Sequence, residues 1–220
     1  MSEDYSKTVP SDEAFDAAFE PYIKAAGEVV NAWNKMQEQL NLVFVEVTGM
    51  SKDMATSIWH SVRSDSLQRD MLLAAVDAIL QDEDPKKRDT RMERILADLT
   101  DLVKHANKLA EDRNNAIHAP VSLAIDNGRL VPHPVHFHGN RLAKRLIGKN
   151  IILEFNRCHD EAKALREYAD KIQTAFAFPS YTLPDRAALL DPLPIENRES
   201  NPDRQGRKAR RKGRRGSSRP

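Results

Sequence analysis

Apolar positions recur at steps of three and four over most of the first 178 residues. The first ten residues are polar and are expected to be disordered. From Ser11 the pattern turns helical, and Pro21 stands where a main first helix can begin. Val30, Trp33, Met36, Leu40, Val43, Phe44 and Val47 then form a buried stripe that ends near Gly49. "SKDMATSIWHSV" predicts a short helix with Ser51 as its N-cap. "SDSLQRDMLLAAVDAIL" predicts another, opened by Ser64 or Ser66. "QDEDPKKRD" reads as a polar connector in which Pro85 can sit in a first helical turn. The clearest stripe follows: Met92, Ile95, Leu96, Leu99, Leu102, Val103, Ala106, Leu109 and Ala110. Its helix, taken over 85–118, is stopped by Pro120, which also restricts Ala119.

The period then changes. "VSLAI" alternates, "DNG" signals a tight turn and "RLVPHP" follows, which predicts a hairpin over about 121–134. "NRLAKRLIG" reads as a brief helix. The last helix is expected from Ile151 to Phe178, with Ile151, Phe155, Cys158, Ala162, Leu165, Ala169, Ile172 and Phe176 on one face and Pro179 closing it. Long helices on short links bury their stripes against one another, so the fold class is all-α, an antiparallel helical bundle with a short β-hairpin before its last helix. The domain is placed at 11–178. A Pro-rich linker over 179–203 and a disordered basic tail over 204–220 follow it.

Composition narrows the function classes. No apolar run approaches the roughly 18 residues that cross a bilayer, so no membrane partner is expected. The acidic, polar N-terminus "MSEDYSKTVPSDEAF" resembles neither a secretory nor a transit signal, and the single cysteine cannot form an internal disulfide. A cytoplasmic location is the expectation. The net charge of +1 hides an asymmetry. Residues 204–220 hold nine Lys or Arg and no acid, which leaves 25 basic against 33 acidic residues in the remainder. The body is acidic. The tail has the charge to bind RNA, DNA or an acidic partner by counterion release, or to act as a solvated tail alone.

The most informative stretch is "LAEDRNNAIHAP", residues 109–120. Continuing the stripe of the long helix reaches Arg113 and then Ile117. Arg113 therefore puts a permanent charge on the inward face, where an unpaired guanidinium costs several kcal/mol. It must meet a carboxylate, line a cleft or await an anion. His118 ends the same helix, about 140° round from Arg113 on a regular 3.6-residue turn, while Asn114 and His118 share a face. Arg-x4-His arises by chance ~0.6 times in a chain of this composition, and ~0.04 times once Asn must follow the Arg. A purely structural account is an Arg–Glu or Arg–Asp pair plus a capping histidine.

"RNNAIH" resembles the R-x4–6-H motif of the HEPN superfamily, small helical-bundle proteins in which a polar residue often follows the arginine. The resemblance covers the helix order over about 20–178, and its specific part is Arg113, Asn114 and His118. It implies a metal-independent endoribonuclease, of toxin or defence type, without a cofactor. The family's catalytically silent members, which bind a nucleotide or a partner protein, are the runner-up that the resemblance implies. RNA supplies its own nucleophile, the 2′-OH. His118 is then the general acid or base and Arg113 the bidentate donor to the phosphate. Asn114 orients His118 or donates to the phosphate. One chain offers one such histidine, so a two-fold homodimer apposing two helix ends is expected, and the resemblance implies the same arrangement. The partners are RNA, a second copy and an antitoxin or other regulator. An adaptor without enzymatic activity, working through its basic tail, is the alternative from another class.

Other candidates are weaker. His133, His136 and His138 lie close together and can bind zinc, although no cysteine or carboxylate completes the set. Cys158, Trp33 and Trp59 are expected in the core, and His60 and His105 at the surface or on helix flanks.

Overall fold

The computed structural model describes residues 11–82, 89–126, 129–135 and 145–186. The chain divides into two units, Met1–Ala187 and Ala188–Pro220, and all the described residues belong to the first. The expected disorder of 1–10, the connector at 83–88, the Asn127–Gly128 turn, most of "NRLAKRLIG" and the segment beyond 186 lie outside them.

Five helices and one hairpin make up the unit: α1 Asp12–Thr48, α2 Lys52–Ser61, α3 Asp65–Asp82, α4 Thr90–Ile117, β1 Val121–Asp126, β2 Arg129–Pro134 and α5 Ile151–Ala177. Side-chain caps set most of the starts. Ser11, Ser51, Ser64, Asp89 and Asn150 each accept a backbone N–H from the first turn of the helix that follows. Gly49 ends α1 at φ 61°, a left-handed conformation that favours glycine, and its N–H bonds back to the Glu46 carbonyl.

Consecutive helices reverse direction. Asn41 meets Thr56 and Glu38 meets His60 across α1–α2; Asp65 meets Arg113 and Arg69 meets Asn107 across α3–α4. Across α4–α5, Arg91 reaches the Ala175 carbonyl, Asp98 meets Tyr168 and Asp112 meets Arg157. Five alternating helices leave the first and fifth parallel. Tyr22 packs on Phe155 and Gln39 bonds Gln173, so α1 and α5 ascend together in the most extensive contact of the bundle. The antiparallel expectation therefore holds between chain neighbours and not for this dominant pair.

The hairpin pairs Val121 with Pro134 through Asp126 with Arg129 and packs its second strand on α1 and α5. The Val135 N–H bonds the Pro120 carbonyl at 2.8 Å and closes its base, directly after the helix end that carries the motif.

Two expectations need correction. Pro21 does not begin α1 but lies inside it. Its missing N–H leaves the carbonyl four residues earlier unserved, which is tolerable where that turn faces water. Val30 is 42% exposed, and the buried stripe runs instead through Ala25, Val29, Ala32, Trp33, Met36, Leu40, Val43, Phe44 and Val47. A face two residues wide fits the neighbours on both sides of α1 better than the narrower stripe.

The core is aliphatic. Leu96, Leu99, Leu102, Leu165 and Phe155 are fully buried, each contributing ~1.5–3 kcal/mol. Exposed ion pairs contribute under ~1 kcal/mol apiece, so burial decides the fold. Cys158 is buried as expected, and burial pushes its thiol up to about 11 against the opposing pull of Arg157. The buried carboxylate of Asp98 is an exception that needs partners: it accepts from Tyr168 Oη at 2.8 Å and pairs with Arg186 at 2.5 Å. Arg186 also holds Asp101, and Arg94 donates to the Pro184 carbonyl, so 179–186 is tied back along α4.

A second polar knot joins α4 to α5. Arg157 donates to Glu161 at 2.6 Å and Asp112 at 3.0 Å, and His105 lies 3.5 Å from Glu161. His105, then Arg157, holds Glu161 below the usual glutamate range, although burial pushes the other way. A depressed folded-state pKa means that Glu161 stabilises the fold above the unfolded glutamate value and loses this contribution as pH falls through the lowered one. Urea melts at about pH 7 and about pH 3 should show Glu161→Gln losing less stability on acidification than the parent chain. Equal losses would show that the knot carries no acid sensitivity.

Candidate functional site

α4 brings Leu109 and Ala110 into the core, and one turn on its stripe delivers Arg113 to the same interior face. Arg113 is held among three other side chains. Its guanidinium carbon stands 4.5 Å from the centre of the Trp33 ring, a cation–π contact with α1. Its Nη2 lies 3.4 Å from Asp65 Oδ2 at the start of α3, and the same oxygen accepts the indole N–H of Trp33 at 2.8 Å. Arg69, from the next turn of α3, sits 5.3 Å from the centre of that indole and donates Nε to Asn107 Oδ1 at 2.7 Å.

Two cations thus share one aromatic ring and one nearby carboxylate. Arg69 is only 2% exposed, and its Nη1 has no hydrogen-bond partner among the described residues; Arg113 Nε is likewise buried and unpartnered. Burial lowers the pKa of both guanidinium groups and Asp65 opposes it in both, while Arg113 further lowers that of Arg69. Arginine is so strong a base that both remain charged. The cluster is a partly satisfied group of two guanidiniums around one indole, with Asp65, whose side chain is 46% exposed, beside both and Asp70 acting on Arg69 as well.

Asn114 and His118 point the other way. Both are exposed, and the His118 N–H bonds the Asn114 carbonyl at 3.0 Å as the helix ends. No hydrogen bond joins Arg113 to His118. The three motif residues therefore share a helix end, with Arg113 inward and Asn114 and His118 outward. Both parts of the structural account, an Arg–Asp pair and a histidine that closes the helix, are present in this chain.

The sequence reading missed Asp65, Arg69 and Asn107 and took Trp33 for core alone. Arg69 had the signal that revealed Arg113: it lies at the steps of three and four that bury Leu72 and Val76. Of the histidine cluster, His133 is exposed on β2, while His136 and His138 lie outside the described residues. Among the described residues no group of three His, Cys, Asp or Glu side chains is placed to hold a metal ion. Between α1 and α5 a cleft of about 240 Å³ is lined by Asn31, Ala32, Lys35, His159, Lys163 and Arg166, with no acid among them. No helix among the described residues is long and apolar enough to cross a membrane. No family model, curated protein or solved structure matches this chain.

Removing Arg113 deletes a cation–π contact worth ~0.5–2 kcal/mol and a long pair to a half-exposed carboxylate worth under ~1 kcal/mol. Asp65 keeps the indole N–H and its access to water. Arg113→Ala should therefore stay folded and lose ~1–2 kcal/mol in urea denaturation, against ~3–5 kcal/mol for Trp33→Ala, which empties the core. A collapse of the fold in Arg113→Ala would make the guanidinium a structural requirement.

Proposed function

We propose that this chain is a metal-independent endoribonuclease of HEPN type, working in the cytoplasm, in which His118 moves the proton and Arg113 holds the phosphate. The observation that carries the reading is the state of Arg113: a guanidinium on an apolar stripe, with Nε unpartnered, next to an exposed Asn114 and five residues before a helix-ending His118. Mostly helical architecture with a hairpin straight after the motif is compatible with that family. The cation-lined cleft between α1 and α5, in a body that is otherwise acidic, supports a polyanionic substrate.

On this reading the 2′-OH of the substrate attacks the adjacent phosphorus, and a base takes its proton as an acid protonates the departing 5′-oxygen. His118 is exposed and is the group suited to either task near neutral pH. Arg113 offers planar, paired donors to the oxygens that gain charge, and Asn114 holds His118 or adds a donor. No step calls on a metal or cofactor. Each protomer has one motif histidine, so two helix ends brought together by a two-fold axis supply base and acid.

A second reading has its own observation. Arg113 is already engaged by Asp65 and Trp33 within the chain, which fits a catalytically silent module that binds a nucleotide or a partner protein. Activity separates the two. On total RNA, Arg113→Ala and His118→Ala should each lower cleavage by ~10² or more. Arg113→Lys should fail in large part, because a point charge cannot replace the fork. Chelators should leave the rate unchanged, DNA should be inert, and the products should end in a 2′,3′-cyclic phosphate or its hydrolysed form. No cleavage by the parent chain would favour the silent module, and full activity in both alanine variants would remove Arg113 and His118 from the chemistry.

The homodimer is tested apart from the chemistry. Light scattering should give twice the mass of 24.9 kDa at micromolar concentration. A monomer that still cleaves RNA would remove the shared cleft.

A further inference from the structure

We propose that Trp33, Arg69 and Arg113 form a phosphate-binding pocket whose resting occupant is the carboxylate of Asp65. The phosphodiester form of the proposal rests on the ribonuclease reading; the pocket itself stands on the geometry. Donors from two elements already converge on one anionic oxygen: Trp33 Nε1 at 2.8 Å and Arg113 Nη2 at 3.4 Å from Asp65 Oδ2. Arg69 stands against the same indole, almost wholly buried, with its Nη1 unpartnered. Arg113 keeps Nε in reserve.

A buried guanidinium with an open donor calls for an acceptor. The single carboxylate beside the ring fills only part of that demand. Asp70 also acts on Arg69 from the same helix, but no hydrogen bond joins Asp65 to Arg69, and Arg69 Nη1 stays without an acceptor. A phosphate group has more acceptor oxygens than a carboxylate and, as a monoester, up to two charges. It matches the planar forks of two arginines.

Asp65 is suited to be displaced. It is the first residue of α3, just after its Ser64 cap, and its side chain is 46% exposed. Turning outward, it exchanges Trp33 and Arg113 for water, and an incoming phosphate oxygen takes over as acceptor for the buried Trp33 N–H. The ligand class is therefore a phosphate ester or free phosphate. Asp65 sets the threshold above which such an anion is admitted, and Arg69 adds a second positive charge against the same indole.

The test uses the full chain and two probes, inorganic phosphate and a 2′-O-methyl RNA oligonucleotide that cannot be cleaved, by calorimetric titration. Asp65→Asn keeps an acceptor for the indole N–H and removes the competing charge. It should tighten phosphate binding about tenfold, and adding Arg69→Gln should cancel the gain, with Arg69→Lys restoring part of it. A gain confined to inorganic phosphate identifies free phosphate as the ligand; a gain on both probes identifies the phosphodiester.

Should Arg69→Gln not fold, the Trp59→Phe chain leaves Trp33 as the sole indole, and its emission should change with phosphate and change at lower concentration with Asp65→Asn. Unchanged or weaker affinity in Asp65→Asn, or a silent Trp33, overturns the pocket. The two proposals fail separately. Phosphate binding without RNA cleavage leaves the pocket and removes the nuclease. Arg113-dependent cleavage with no response to Asp65→Asn does the reverse.

Discussion

The indole of Trp33 is buried in the middle of α1, and its N–H has to find an acceptor there. Asp65 supplies it from the first residue of α3, which fixes where α3 begins along α1. The ring faces then receive Arg69 and Arg113, and Arg69 bonds Asn107, so the register of α4 follows from the same contact. Three helices are aligned by one side chain. Below the indole, Gln37 and Asn41 continue at steps of four along α1 and keep buried atoms without partners. This side of the bundle has less satisfied polarity than its aliphatic interior and carries a desolvation cost that the leucines of α4 and α5 offset.

The opposite side depends on α5. It lies parallel to α1 and antiparallel to α4, and its inward face is apolar from Ile151 to Ala175. Polar groups of α4 meet α5 at fixed points: Asp112 with Arg157, His105 with Glu161, Asp98 with Tyr168 and Arg91 with the Ala175 carbonyl. These pairs set register more than they add stability, since exposed charge pairs are weak beside a buried leucine. Asp98 differs because its carboxylate is buried. Tyr168, Arg94 and Arg186 surround it, and the last of these draws 179–186 into the domain.

Periodicity was legible wherever an element buries one face over several turns. The helical pattern from Ser11, the Ser51 cap, the last helix from Ile151 and the hairpin over 121–134 follow from local chemistry, and the helices and strands appear there. Pro21 misled because a proline reads as a start when the exposed turns before it carry no stripe of their own. The strap at 179–186 was invisible: it has no period, and its anchor is an ion pair 88 residues distant in sequence. Arg113 was found by asking why a charge occupies an apolar position. The same question put to Arg69 reaches the other half of the pocket. Asp65 could not be found that way, for it is exposed enough to pass as an ordinary helix-start acid and is joined to Arg113 across 48 residues.

The inward Arg113 and outward His118 bear on how the proposed chemistry is shared. A phosphate seated against Arg113 lies on the Trp33 side of α4, whereas His118 of the same chain leaves the helix end toward solvent. Bringing that histidine to the phosphate requires the last turn of α4 to unwind, against the His118-to-Asn114 backbone bond and the hairpin base closed by Pro120 and Val135. A second copy needs no such change. In the proposed dimer, two helix ends meeting across a two-fold axis would present each exposed histidine to the other chain's substrate, so the outward position of His118 would serve a neighbour. Under this arrangement Asp65 guards each anion pocket from within the protomer, while the acid–base groups arrive from without, so charge stabilisation and proton transfer are assembled together only when substrate and partner are both in place.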